Sequence, residues 1–295
     1  MVLLCAGLAV CDVIASPVAR TAMEVDTTRI DSLTMASGGD ALNTACAIGK
    51  LGGQSVRLCA RVGEDAFGRF VADQVAASGV ESALIVDGDN ATSTSLILVE
   101  PGGERHIVYY GACNDALSAS DVLGVDWSGV GHLHIGSALA LMGLDLTELL
   151  REAKRRNIVT SMDVTYDPTG RWMQTLEPAL AYCDYFLPSL EEAHALTGET
   201  RPERIAAALS GFGIKGLAIK LGAEGSFITD FSQVWRVSAR PVNVVDTTGA
   251  GDCFVAGFLH GLLAGLPLNE CGNRGAQVAA MGIAQFGATT GIGRL

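Results

Sequence analysis

Residues 246–254 read DTTGAGDCF, and the apolar run VAGFLHGLLAGL follows at 255–266. Two glycines and two aspartates therefore stand directly before a stretch with the composition of a buried helix. Glycine admits positive φ and close approach of the backbone to another group. The free N–H groups of a helix start attract anions, which a carboxylate in the same place would repel. One stretch thus offers an anion cradle and a carboxylate a few residues apart. That combination suits a site where a phosphate meets a group that must lose a proton.

Outward from this stretch, short β-rich runs alternate with amphipathic segments. Strands are predicted in VLLCAGLAV (2–10), SVRLCARVG (55–63), HLHIGS (132–137), IVTSMDV (158–164), YFLP (185–188) and GLAIKLG (216–222). Helices are predicted over 40–51, 65–78, 143–156, 189–197 and 202–210. Such alternation implies βαβ units, hence an α/β fold with a central, mainly parallel sheet and helices on both faces. The small residues of 250–286 predict two closely packed helices. Two stretches break the pattern. Residues 13–36 are β-branched and lack helical periodicity, and 92–112 read as two strands around a PGGE turn. Together they are expected to form a small β-lid over a core made of 1–12, 37–91 and 113–295, with unconnected surface hairpins as the alternative.

The chain has 295 residues, room for one large α/β domain or two smaller ones, and 49% of them are apolar. A net charge of −12 argues against nucleic acid as a partner, since phosphate backbones need basic surface. It leaves nucleotides open, because these are held by local N–H groups and one or two cations. None of the eight cysteines forms a C-x-x-C pair, and they read as reduced core residues. The apolar N-terminus lacks a basic region and reads as a buried first strand, not a signal peptide. No uninterrupted apolar run is long enough to span a membrane. A cytoplasmic protein without a membrane partner is expected. A P-loop, H-E-x-x-H and a nucleophile elbow are all missing. GFGIKG at 211–216 matches G-x-G-x-x-G but precedes a strand instead of following one, so it is not a dinucleotide fingerprint. The five histidines are scattered singly and read as structural.

A second informative stretch is SGGDALNTACAIGKLGG at 37–53. Gly38 and Gly39 open a helix, with Asp40 and Asn43 in its first turn, where side chains can face a ligand; an ordinary capped helix would use the same residues. Asp12 is expected at the end of the first strand. In an open parallel sheet the strand C-termini form the ligand crevice, and a carboxylate there suits paired hydroxyls as well as a simple turn.

These two stretches resemble the signature segments of the ribokinase-type (PfkB) carbohydrate kinase family, in matching order and separation. Similar stretches continue along most of the chain: GLAVCD (7–12), RVGEDAFG (61–68), GGERHIVYYGACNDAL (102–117), DVTYDPTGRW (163–172), LPSLEEA (187–193) and IKLGAEGS (219–226). The resemblance implies a ribokinase-like fold and ATP-dependent phosphorylation of a sugar hydroxyl. It implies that Asp252 is the general base and that Gly249, Ala250 and Gly251 form the anion hole, so that the cradle and the carboxylate serve different partners. Asp12, Gly39, Asp40 and Asn43 would contact the acceptor, with Asp40 standing where ribokinases commonly carry Lys. Lys220, Gly222 and Gly225 would border the nucleotide, and Asn273 and Ala276 would flank its purine. Glu192 would help hold hydrated Mg2+, although Ser189 replaces the Asn of that motif. Asp246 and Thr248, with carbonyls near Gly287, would hold K+.

The acceptor is less defined. Arg20, Arg29, Arg105 and His106 of the lid are not clustered, and Gly111 follows Tyr109-Tyr110 where sugar acid kinases of the family often carry Arg. A neutral sugar is expected ahead of a phosphosugar or a sugar acid. A nucleoside kinase is the first alternative, and a non-catalytic sugar-binding relative the second. Leu96, Ile97 and Val108 are expected on the outer face of the lid, which together with unpaired sheet edges predicts a homodimer joined through the lids.

Overall fold

The computed structural model of the protein describes residues 1–167 and 169–295; Pro168, inside the DVTYDPTGRW stretch, lies outside them. Nine strands form the main sheet. Their order across it is Val234–Val237, Ser226–Thr229, Gly216–Lys220, Tyr185–Phe186, Val159–Met162, Val130–Gly136, Val2–Gly7, Ser55–Cys59 and Glu81–Ser82. Neighbours pair in parallel except at one edge, where Ser226–Thr229 runs antiparallel to both of its partners.

The pleat sends alternate side chains to opposite faces, and each face has its own core. On the strand Val2–Gly7, Leu4 and Ala6 join one cluster with Leu133, Ile135, Leu149 and Leu176. Leu3 and Cys5 join the other with Leu42, Ile48, Val255 and Phe258. Burial on both faces explains why this strand reads as continuous apolar sequence rather than alternating sequence.

Helices form close to their predicted places at Asp40–Leu51, Ala66–Ala77, Leu146–Arg155, Leu190–Thr197 and Pro202–Leu209. The expected helix pair is Ala250–Leu263 and Leu268–Gly282. A Cβ on Gly257 would lie 2.5 Å from the Arg274 carbonyl oxygen, and one on Gly275 would lie 2.9 Å from the Phe254 ring, so the glycines set the close packing. Among the described residues, no helix is long and apolar enough to cross a membrane.

A separate sheet of four strands has the order Ser32–Gly38, Val10–Ser16, Thr94–Val99, Arg105–Tyr110. Its pairings are antiparallel, parallel and antiparallel in turn. Two expectations change here. The first main-sheet strand ends at Gly7, so Asp12 lies within a strand of the small sheet. The first two strands of that sheet accordingly begin at Val10 and end at Gly38, outside the segment 13–36 expected for the lid. The break follows from the backbone: Gly7 has φ +146 and packs closely against Gly136, which ends the pairing and lets the chain change sheets. The second difference concerns Ile97. Leu96 and Val108 are cross-strand partners on one face, whereas Ile97 points to the other face and is buried.

Candidate active site

Parallel strands of the main sheet deliver their C-terminal ends to one edge. Lys220 is the last residue of Gly216–Lys220, Ser137 follows Val130–Gly136, and Asp163 follows Val159–Met162. The helices starting at Asp40 and Ala250 begin at the same edge. As a result one carboxyl oxygen from each of Asp40, Asp163 and Asp252 lies within 4.8 Å of the other two. Asn43, one turn into its helix, donates from Nδ2 to Asp252 Oδ2 at 2.8 Å. This bond joins the two signature segments across 209 residues of sequence. The Asn43 Oδ1 atom is buried and has no partner among the described residues, so it stands beside the cluster as a free acceptor.

Ser137 ties two of the carboxylates together. Its backbone N–H donates to Asp163 Oδ1 at 2.9 Å, and its hydroxyl donates to Asp40 Oδ2. It does so from a left-handed conformation, φ 62°, uncommon for a residue with a side chain and typical of functional sites.

Charge follows from this geometry. Burial raises the pKa of Asp252, while the Asn43 hydrogen bond and Lys220 pull it down. Asp40 is raised well above the carboxylate range by burial and then by the charges of Asp252 and Asp163. Asp163 is raised by burial and by Asp252 against the pull of Lys220. Burial alone would lower Lys220, but Glu192, Asp163, Asp252 and Asp40 surround it and hold its proton, for a net rise. One cation thus balances several carboxylates.

The loop before Asp252 turns on a glycine. Gly249 caps the helix with φ 70°, and a Cβ there would sit 2.5 Å from Ala288 Cβ, so only glycine fits. Gly251 differs. A Cβ there would meet only the Lys220 side chain, nearest at Nζ, 3.5 Å away, an ordinary contact. Among the described residues, no close contact demands glycine at 251. Ala250 is the first helical residue.

Gly39 caps the other helix with φ 88°, and a Cβ there would clash with the Leu8 carbonyl oxygen at 2.6 Å. Asp12 approaches from the small sheet. It is pushed up to about 6, chiefly by burial; a hydrogen bond from Ser95 opposes this and the charge of Asp252 adds to it.

Other sequence-selected residues lie around this centre. Glu192 Oε2 accepts from the Ser189 N–H at 2.7 Å, and Ser189 Oγ accepts from the Glu192 N–H at 3.2 Å. This reciprocal cap gives Ser189 a structural use, and among the described residues the second Glu192 oxygen has no hydrogen-bond donor. Asp246 accepts from Thr248 N–H at 2.9 Å, Thr248 Oγ1 at 2.7 Å and Gly287 N–H at 3.0 Å. Burial works to raise its pKa, but these donors and Arg105 overcome it and hold the carboxyl low. Gly222 and Gly225 bound the turn after Lys220. Gly225 is packed against the Val237 carbonyl oxygen, whereas Gly222 borders open space. Asn273 and Ala276 lie on Leu268–Gly282, half-buried and buried, and take no part in the bonds that define the cluster.

Sequence reasoning missed Asp163, Ser137 and Ser95. Asp163 carried a usable signal, since it ends a predicted parallel strand. Ser137 and Ser95 carried none, because their bonds depend on neighbouring elements. The histidine reading agrees with the structure at two sites: His132 and His134 share Ser161 Oγ at 2.8 and 2.9 Å inside the sheet, and burial lowers them to about 4 and about 3. All eight cysteines are free and buried.

The model for pfkB family carbohydrate kinases matches residues 2–293. An uncharacterized sugar kinase of Archaeoglobus fulgidus is 36% identical over 245 residues, covering 79% of this chain and 93% of its own. A fructokinase of Escherichia coli is 31% identical, covering 79% of each chain. A double-mutant fructokinase of Vibrio cholerae, solved with fructose, ADP and potassium ion, superposes with a TM-score of 0.82 at 25% identity, covering 99% of this chain and 95% of that one.

Proposed function

The chain belongs to the pfkB family of carbohydrate kinases, and from that premise we propose that it transfers the γ-phosphoryl group of ATP to a hydroxyl of a neutral sugar. The observation that carries the reading is Asp252, held by Asn43 at 2.8 Å on the first turn of a helix capped by left-handed Gly249. Asp252 takes the proton of the acceptor hydroxyl as general base. The N–H groups of Gly249, Gly251 and Asp252 receive the phosphoryl charge, which favours phosphoryl transfer because that reaction depends on positioning and charge stabilisation. The Ala250 N–H is held by the Thr247 carbonyl oxygen at 3.2 Å. Lys220, close to Gly251, adds a cation on the nucleotide side.

The residues around Asp252 support the acceptor class. Asp12, Asp40, Asp163 and the free Asn43 Oδ1 offer oxygen atoms to hydroxyl groups and no cation. A polyhydroxyl acceptor satisfies them, whereas a carboxylate or phosphate would be repelled. Asp40 reads a hydroxyl here instead of offering a lysine. Mg2+ enters with the nucleotide, and Glu192 with its free oxygen fits a water-mediated hold on it. Asp246 Oδ2 keeps a lone pair beyond its bond to Gly287 and fits one ligand of a monovalent cation. The small sheet acts as a lid that excludes water, which would otherwise compete as phosphoryl acceptor. Its outer face exposes Leu33, Met35, Val108 and Tyr110, and a groove of about 500 Å³ lies there between Phe67, Leu96 and Val108. A second copy of the chain covers this face to form a dimer. The free thiols suit a reducing cytoplasm.

The test is ADP formation by purified protein with Mg-ATP and a panel of D-ribose, D-fructose, 2-dehydro-3-deoxygluconate, fructose 6-phosphate and adenosine. A neutral sugar as best acceptor supports the reading. Preference for an acid, phosphosugar or nucleoside overturns the acceptor class, and absence of any phosphorylated product overturns the kinase assignment.

A further inference from the structure

Asp12, Ser95 and Tyr109 are cross-strand partners on one face of the small sheet. By the two-residue period of a strand, Arg105 lies on that same face, at the end of the edge strand Arg105–Tyr110. Its guanidinium reaches out of the sheet to the stretch just ahead of the anion hole. It donates to Thr248 Oγ1 and, at 3.5 Å, to Thr247 Oγ1, and it lies 3.9 Å from Asp246 Oδ1. Arg20, an exposed arginine of the lid, pairs instead with Glu100 and Glu104 of the small sheet's own hairpin.

Two separate elements are therefore fastened at one point. The small sheet carries Asp12, an acceptor contact. Thr247 and Thr248 lead directly into Gly249, whose left-handed cap sets the direction of the N–H groups. Thr248 is rigid in turn, because its N–H and hydroxyl both bond Asp246. A planar guanidinium spanning two adjacent hydroxyls fixes orientation as well as distance, which a single contact would not.

We propose that Arg105 is a positioning residue that latches the small sheet to the Thr247–Thr248 turn, setting the separation between the acceptor's hydroxyl contacts and the transferring phosphoryl. This rests on the kinase reading. The latch acts on the closed site and not on the nucleotide pocket, so its loss weakens acceptor capture and lets water reach the phosphoryl.

Arg105→Ala, Arg105→Lys and the control Arg20→Ala are compared with wild type, using the best acceptor of the panel above. For Arg105→Ala the KM for the acceptor should rise about tenfold, the size expected for loss of a charge-assisted hydrogen bond made in the closed state. The KM for ATP should stay within about twofold, and ADP formed without acceptor should rise relative to sugar phosphate. Arg105→Lys should recover part of the loss, and Arg20→Ala should match wild type. Unchanged acceptor KM in Arg105→Ala, or the same loss in Arg20→Ala, overturns the latch. An acceptor-free measurement keeps the two readings apart: hydrogen exchange should speed up in Arg105→Ala both at 105–110 and at 246–252. Unchanged exchange in either segment refutes the latch even if wild type transfers no phosphoryl, the result that would instead refute the kinase reading.

Discussion

Replacing Asp12 by Asn should make the protein more stable and a poorer kinase at once. Asp12 is 6% exposed, and its carboxyl is pushed from 3.8 up to about 6, chiefly by burial, with the Ser95 bond opposing and the Asp252 charge adding. The folded protein therefore holds this proton more tightly than the unfolded chain does. The stability linked to the proton is fully present below about pH 4 and is lost as pH rises through about 6. A displacement of about two pH units corresponds to about 3 kcal/mol. Asn cannot ionise and can still accept the Ser95 hydroxyl through Oδ1, so the variant escapes the loss. At pH 8 it should exceed wild type by about 2–3 kcal/mol, a rise in Tm of several degrees for a chain of this size. At pH 4 the two should coincide. Urea unfolding at pH 4, 6 and 8 measures the difference directly, and other titrating groups cancel between the two proteins. The acceptor KM should rise in the same variant, because an amide accepts sugar hydroxyls less strongly than a carboxylate. A stability difference that does not change between pH 4 and 8 would refute the reasoning, as would an Asn variant less stable than wild type at pH 8.

Four further outcomes are expected. Asp252→Asn should lower kcat by about 10²–10⁴ with the KM for ATP nearly unchanged, measured by steady-state kinetics; near-full turnover would remove Asp252 as the base. Gly249→Ala should lower Tm, because its Cβ meets Ala288, whereas Gly251→Ala should leave Tm alone and raise the KM for ATP; thermal melts beside kinetics separate the two, and equal behaviour would mean the loop does not approach the phosphates. Potassium should give faster turnover than sodium or tetramethylammonium at equal ionic strength, and equal rates in all three would reject a cation at Asp246. Leu96→Glu or Val108→Glu should convert a dimer to a monomer by light scattering at micromolar concentration; a dimer that survives both must be joined elsewhere.

The order and types of the main elements were legible in the chain because their cause is local. Leu3, Leu4, Cys5 and Ala6 form a run apolar on both faces, which only a doubly covered strand accommodates. Asp40–Leu51 announced itself by two glycines, a first-turn aspartate and a long apolar stretch. The short strand Glu81–Ser82 and the antiparallel edge pair Ser226–Thr229 and Val234–Val237 were not predicted, since pairing with other strands defines them. Asp12 shows the limit most clearly. VLLCAGLAV reads as one strand, yet the approach of Gly7 to Gly136 splits it and sends Asp12 into another sheet.

The site divides in the same way. Asp252 and Gly249 stand in a compact stretch whose glycines and carboxylates point to an anion cradle beside a carboxylate, and Asn43 in one whose first helical turn can face a ligand, so the sequence by itself marked all three as candidates. It could not determine that Asp40, Asp163 and Asp252 share one small volume, that Ser137 clamps two of them, or that Arg105 reaches Thr248 across 143 residues. Those facts were decided only by the tertiary structure. Electrostatic and hydrogen-bond energies depend on distances of a few ångström between side chains, and such distances are set by how strands end and helices begin against one another, not by separation along the chain.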